Sequence, residues 1–214
     1  FPHDELAAVG YHAVHNSAGQ WSGVAIVARQ DLELTDPVLG LAGDPVPGEA
    51  RWCEATAEGI RFASVYVPNG RTLDSPEYPR KLAFLEAMAA RAAELGPERL
   101  VIGGDMNIAP ADADVYDPAA FIGGTHVSEP ERSRLQAVEA LGLSDAYRTL
   151  HPDEVQYTWW DYRAGHFHKG FGLRIDLLLV GSEVAPRMQS CGIVRDYRKG
   201  KKPSDHAPLL LELS

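Results

Sequence analysis

The sequence predicts an α/β sandwich, two packed β-sheets flanked by helices. Three observations predict it: short β-like runs recur along the chain, several alternate with a period of two, and helical segments are interspersed among them. "VGYHAVH" and "SGVAIVA" come first, then "RWCEATA" and "IRFASVYV". In the last of these, Ile60, Phe62, Ser64 and Tyr66 alternate with Arg61, Ala63, Val65 and Val67, the pattern of a strand with two distinct faces. From Pro79 to Leu95, the residues Leu82, Leu85, Met88, Ala92 and Leu95 fall at spacings of three and four and form one apolar stripe, which Gly96-Pro97 ends. "RLVIGGD" comes next as a continuous apolar run, typical of a strand covered on both faces. Ser128, with Glu131 three residues on, reads as a capping box, and Leu135, Val138 and Leu141 continue that helix to Gly142. "RIDLLLV" is a second continuous run, and "CGIVRD" and "APLLLEL" close the series. No repeat, low-complexity tract or long linker interrupts it, so residues 1–214 read as a single domain.

Composition narrows the class. An apolar content of 45 % with 23 % charged residues suits a globular chain with a sizeable core. No apolar run approaches the roughly 18 residues of a membrane span, and nothing has the pattern of a signal peptide. Cys53 and Cys191 lie far apart without metal-like spacing and read as free thiols of a reducing cytoplasm, a single disulfide being the alternative. A cytoplasmic monomer with no membrane partner is therefore expected. The net charge of −10 argues against a general polyanion binder. Metal-dependent nucleases nevertheless concentrate carboxylates in their sites, and a local basic surface can still grip phosphates. "RDYRKGKKP", residues 195 to 203, carries five basic residues against one acid; taken alone it reads as a solvated loop.

The chemistry gathers in five stretches. In "VIGGDMNIAP" a buried strand delivers Asp105 and Asn107 at its end, two residues apart and so expected on one side, with Gly103-Gly104 allowing close backbone approach. An Asx turn is the simpler alternative. In "GLRIDLLLV" Asp176 opens a very apolar strand, where a carboxylate needs a partner. A neighbouring Arg would serve. "KPSDHAPLLLEL" supplies a better one, because Asp176 accepting from His206 would fix the tautomer of the ring and raise its pKa. In "SVYVPNG" Tyr66 ends a strand and Asn69-Gly70 makes a turn, a place where both side chains could meet phosphate oxygens. "YTWWDYRAGHFHKGFGLR" interleaves aromatics with Arg163, His166, His168, Lys169 and Arg174, a mixture suited to stacking on a base or sugar beside phosphates. His166 and His168 have no companions with zinc-ligand spacing.

In this order, "YVPNG", "GGDMNIAP", "TWWDYR", "GLRIDLLLV" and "KPSDHAPL" resemble the exonuclease III family of apurinic/apyrimidinic endonucleases, within the endonuclease/exonuclease/phosphatase superfamily. The resemblance runs over nearly the whole chain. It implies a four-layered α/β sandwich of two mixed sheets and Mg²⁺- or Mn²⁺-dependent hydrolysis of duplex DNA, 5′ to abasic sites and at 3′ ends. Carried over, Asp105 orients or deprotonates the attacking water, while Asn107 and Tyr66 contact the scissile phosphate. His206 binds a phosphate oxygen, its ring fixed by Asp176. Asp205, with Asp105 and Asn107, belongs to the metal site. Trp159, Leu173 and Ile175 line the pocket for an extruded abasic sugar, and Asn69 contacts a DNA phosphate; Arg163 and Arg174 complete the expected DNA-binding set. Family members open with an Asn-bearing strand and a later Glu that is the principal metal ligand, and neither appears here. "FPHDELAAVGYH" resembles the family segment on the C-terminal side of that Glu, so the first strand and helix are expected to be missing and the 214-residue polypeptide to bind metal weakly and cleave poorly. Another phosphodiesterase or phosphatase of the superfamily, or a nucleic-acid-binding protein on the same fold, is the alternative.

Overall fold

The computed structural model describes residues 1–19 and 22–214. A short helix α1 (His3–Ala8) leads into the antiparallel pair β1 (Tyr11–Ala18) and β2 (Ser22–Arg29). Next come β3 (Thr35–Leu39), β4 (Trp52–Ala57), β5 (Ile60–Tyr66), the long helix α2 (Glu77–Leu95) and β6 (Leu100–Asp105). The remainder comprises α3 (Glu129–Glu139), β7 (Ser144–Asp145), α4 (Ala146–Leu150), α5 (His166–Lys169), β8 (Asp176–Val180), β9 (Met188–Ile193) and β10 (Leu209–Leu213).

Six strands form one mixed sheet in the order β3-β4-β5-β6-β8-β7. Only β5 and β6 run parallel, and α2 makes the crossover between them. Alternation along these strands sorts the core into two layers. Ala63, Val65, Leu100, Ile102, Leu177 and Leu179 point to one face and pack under Phe84, Leu85 and Met88 of α2 and Leu135 and Val138 of α3. Ile60, Val101 and Val180 point the other way, against Cys191 of β9 and Leu209 and Leu211 of β10. Both faces of β6 and β8 are covered, which is why their sequences read as continuous apolar runs.

The second layer differs from one mixed sheet. It consists of two antiparallel pairs, β1–β2 and β9–β10, each laid separately on the six-stranded sheet. Helix α2 begins two residues before Pro79, because a proline in the first turn removes an N–H that has no helical partner there. The capping box of α3 is formed: Ser128 Oγ accepts from the Glu131 N–H at 3.4 Å, and Glu131 Oε2 accepts from the Ser128 N–H at 3.0 Å. Strand β3 carries Pro37 and sits at the sheet edge, where a missing donor is tolerated. Cys53 and Cys191 are free and buried. Among the described residues no helix is long and apolar enough to cross a membrane.

Candidate active site

Three strand ends meet at one edge of the six-stranded sheet. Asp105, the last residue of β6, lies in register with Tyr66, the last of β5, and with Asp176, the first of β8. Gly104 lets this edge close. Its φ is +146°, and a Cβ there would stand 1.9 Å from the Val65 carbonyl oxygen, so no side chain fits without separating β5 from β6. The chain then turns at Asn107, which adopts a left-handed φ of +51° that asparagine tolerates better than most residues.

This turn wraps the backbone around the Asp105 carboxylate. Asp105 Oδ1 accepts from the Asn107 N–H at 2.8 Å and Oδ2 from Asn107 Nδ2 at 3.0 Å. Asn107 Nδ2 also donates to the Val67 carbonyl at 2.9 Å, and Asn107 Oδ1 accepts from Asn69 Nδ2 at 3.0 Å. Both amide hydrogens of Asn107 are thus engaged. In this geometry the side chain orients Asp105. The two residues converge through a left-handed turn, not through the period of an extended strand.

Asp176 is the partner of His206, with His206 Nδ1 donating to Asp176 Oδ2 at 2.8 Å. The other ring nitrogen, Nε2, stands 4.0 Å from Asp105 Oδ2. Burial alone would lower the imidazole pKa, but the hydrogen bond and charge of Asp176, with Asp105 and Asp205 nearby, outweigh it and raise the pKa to about 9. The ring is therefore cationic at neutral pH. Burial and the Asp176 charge push the Asp105 carboxyl up from its ordinary range as well, to about 7, against the pull of His206 and the Asn107 N–H. Tyr66 ends the adjacent strand with the Arg51 guanidinium 4.6 Å over its ring.

Sequence reasoning missed Thr158, which ties the two halves of the His206–Asp176 pair together. Its hydroxyl accepts from the Ile175 and Asp176 N–H groups at 3.0 and 3.1 Å, and its carbonyl accepts from the Ala207 N–H at 2.7 Å. The next two residues hold Asp205: Trp159 Nε1 donates to Asp205 Oδ2 at 3.1 Å, and the Trp160 N–H to the Asp205 carbonyl at 3.0 Å.

The expected DNA-binding set divides. Arg174 is fully buried, with Nε donating to Asp114 and Nη1 to Asp145, each at 2.7 Å, so its guanidinium is a structural cation and the DNA-contact expectation is corrected. Leu173 and Ile175 are buried in an apolar cluster with Ala109, Val115, Phe121, Val127 and Trp159. Asn69 is exposed, and its side chain is bonded to Asn107. Arg163 is exposed and forms a bidentate pair with Asp161, holding that carboxyl down to about 2. The basic stretch begins with a 3₁₀ turn, Arg195–Arg198, whose two guanidiniums lie over the rings of Trp160 and Phe167.

Asp105 and Asp205 are the carboxylates that this edge offers a divalent cation, and the Asn107 amide oxygen is already bonded to Asn69 Nδ2. Among the described residues no group of three or more His, Cys, Asp or Glu is gathered to hold a metal ion, so Mg²⁺ here would rest on one or two carboxylates with water completing its octahedron. Asp205 bonds the Trp159 indole, and both oxygens of Asp105 face Asn107.

A family model described as "Endonuclease/Exonuclease/phosphatase family" matches residues 2–206. The chain is 30 % identical to an exodeoxyribonuclease III of Haemophilus influenzae, over 99 % of its own length and 84 % of that protein's. It is 28 % identical to an exodeoxyribonuclease of Bacillus subtilis, over 97 % of its length and 81 % of the relative's. Among solved structures, a Neisseria 3′ phosphatase bound to a product DNA hairpin superposes with a TM-score of 0.96 at 37 % identity, covering all of this chain and 83 % of that one. An AP endonuclease from Archaeoglobus fulgidus superposes with a TM-score of 0.94 at 34 % identity, with the same coverage. The chain belongs to the endonuclease/exonuclease/phosphatase family, as a hydrolase of the exonuclease III and AP endonuclease type.

Proposed function

We propose that the chain hydrolyses phosphodiester bonds of duplex DNA, cutting 5′ to abasic sites and removing nucleotides from 3′ ends. The observation that carries this reading is the convergence of Asp105 with the His206–Asp176 pair, with 4.0 Å between His206 Nε2 and Asp105 Oδ2. Phosphoryl transfer asks for positioning and charge neutralisation more than for covalent participation. The cationic His206 presents Nε2–H to a non-bridging phosphate oxygen, and Asp176 holds the ring by its opposite nitrogen. Asp105, oriented by Asn107, takes the proton of the attacking water. The Tyr66 hydroxyl is a further phosphate contact at the neighbouring strand end, and Trp159, Asn69 and Arg163 border the DNA.

Enzymes of this family generally depend on a divalent metal. Mg²⁺ or Mn²⁺ is the proposed ion. The residues that would hold it are Asp105 and Asp205, and the ion would supply charge neutralisation at the phosphate. Removal of 3′-terminal phosphates from DNA is the second reading, supported by the description of the Neisseria neighbour. Rates on a duplex with one abasic site, a 3′-recessed duplex, a 3′-phosphorylated duplex and a small aryl phosphate separate these readings. The proposal expects DNA ends or abasic sites to be cleaved and the aryl phosphate to be spared. The opposite ranking would place the chain among the family's small-molecule phosphatases.

A further inference from the structure

Lys81 and Glu131 form an ion pair in which neither side chain has any exposed surface. Helix packing does not call for a charge there. Lys81 continues the buried stripe of α2 that holds Phe84, Leu85 and Met88, and replacing a buried ion pair by apolar groups of similar volume is often neutral or stabilising. The partners of the ammonium are informative. Lys81 Nζ donates to the Asn107 carbonyl at 2.7 Å, and the Asn69 carbonyl and Thr125 Oγ1 each lie at 3.3 Å. The Asn107 carbonyl also accepts from His126 Nδ1 at 2.6 Å. Glu131 Oε1 accepts from Thr125 Oγ1 at 2.7 Å and from the His126 N–H at 3.0 Å, while Oε2 accepts from the Ser128 N–H and hydroxyl at the start of α3.

One buried ammonium thus joins the backbone carbonyls of Asn69 and Asn107, whose side chains are bonded to each other. Asn107 holds a left-handed conformation, which an L-residue keeps only where its surroundings impose it. The turn makes room for the lysine. Gly70 has φ +83°, and a Cβ there would stand 3.0 Å from Lys81 Cδ and 3.2 Å from Thr125 Oγ1.

We propose that Lys81, paired with Glu131, is a positioning residue of the hydrolytic site: it fixes the left-handed turn at Asn107 and thereby the orientation of the Asp105 carboxylate. It touches no substrate. The inference rests on the role proposed above for Asp105. Capping of α3 explains Glu131 only in part, because a cap needs acceptor oxygens and not a buried lysine.

The test is the double variant K81M/E131Q, which removes both charges together and keeps an acceptor for the α3 cap. Hydrogen exchange without DNA reads the Asn107 amide, which donates to Asp105. Its protection is expected to fall about tenfold or more while the β6 amides keep theirs. In the complete product of the encoding gene, single-turnover DNA cleavage is expected to fall about tenfold or more with substrate affinity within about threefold. K81R, which retains a cation, should recover part of that rate. Unchanged protection at Asn107 in a folded double variant overturns the proposal, as does lost protection with an unchanged cleavage rate. If the double variant does not fold, K81Q/E131Q decides in the same way, since it removes both charges and keeps a polar group at each position. Lost protection in a protein whose wild type cleaves no DNA leaves the positioning role standing and removes the nuclease reading instead.

Discussion

Arg174 is the residue for which sequence and structure part most sharply, and R174L tests its buried, structural role. The guanidinium is fully buried between Asp114 and Asp145, whose side chains are 1 % and 7 % exposed. Arg148 also reaches Asp114 at 2.7 Å, so that carboxylate keeps one cation when Arg174 is removed. Asp145 has no such reserve: its Oδ2 loses the arginine, and only its Oδ1 keeps a partner, the Arg148 N–H. Breaking a buried pair from one side typically costs about 3–5 kcal/mol, because it strands a charge in a dry interior. Against a total stability of about 5–15 kcal/mol, this is a large fraction. With a urea slope of about 2 kcal/mol/M, the unfolding midpoint should drop by roughly 1.5–2.5 M. Circular dichroism in urea measures that shift, and R174L/D145N, which removes the stranded charge as well, should recover part of it. DNA affinity of whatever fraction remains folded should be unchanged. A midpoint shift below about 0.5 M, under 1 kcal/mol on that slope, together with a large loss of DNA binding, would refute the reasoning and return Arg174 to the DNA interface.

Other substitutions probe the site, the sheet and the core in turn. D176N keeps the size of the side chain but removes the charge that holds the His206 ring, and cleavage should fall by about 10²-fold with the fold intact by circular dichroism. G104A should cost about 3 kcal/mol or more, read as a urea midpoint, because its Cβ would overlap the Val65 carbonyl oxygen. Glu54 provides a pH test of the β4 core. Burial raises its carboxyl pKa, but hydrogen bonds from Arg91, Arg61 and Trp52 outweigh burial and leave it below the ordinary 4.5. A depressed carboxylate contributes stability that is present above pH 4.5 and is lost as the pH falls through the folded value, so wild type should lose stability below pH 4.5 more steeply than E54Q.

Strands β1, β2, β4, β5, β6, β8, β9 and β10 were legible as alternating or continuous apolar runs and the two long helices by their spacing, whereas β3, which carries Pro37, and the two-residue β7 were not. Met88 and Leu135 face the sheet for the same reason that they recur at helical spacing. Helices α1, α4 and α5, of six, five and four residues, are too short to show a period. Within the site, Asp176 stood out as a carboxylate heading an apolar strand and in need of a partner, and that partner, His206, lies 30 residues on. Arg174 offered no comparable signal. Its acids are 60 and 29 residues away, so nothing local marks the cation as buried, whereas the surrounding aromatics suggest a ligand surface. Lys81 was legible in principle, because it stands three and four residues before Phe84 and Leu85 on the buried stripe. Thr158 lay beside the conspicuous tryptophans, and its role depends on Ile175, Asp176 and Ala207, which only the tertiary fold brings together.

The most direct test of the central claim, that the Asp105 and His206–Asp176 edge hydrolyses DNA, is a single-turnover cleavage assay comparing D105N with wild type. It uses the complete product of the encoding gene, an end-labelled duplex bearing an abasic site or a recessed 3′ end, and added Mg²⁺. The predicted cleavage rate is at least about 10²-fold lower for D105N, with DNA affinity retained. Equal rates for D105N and wild type would contradict the claim.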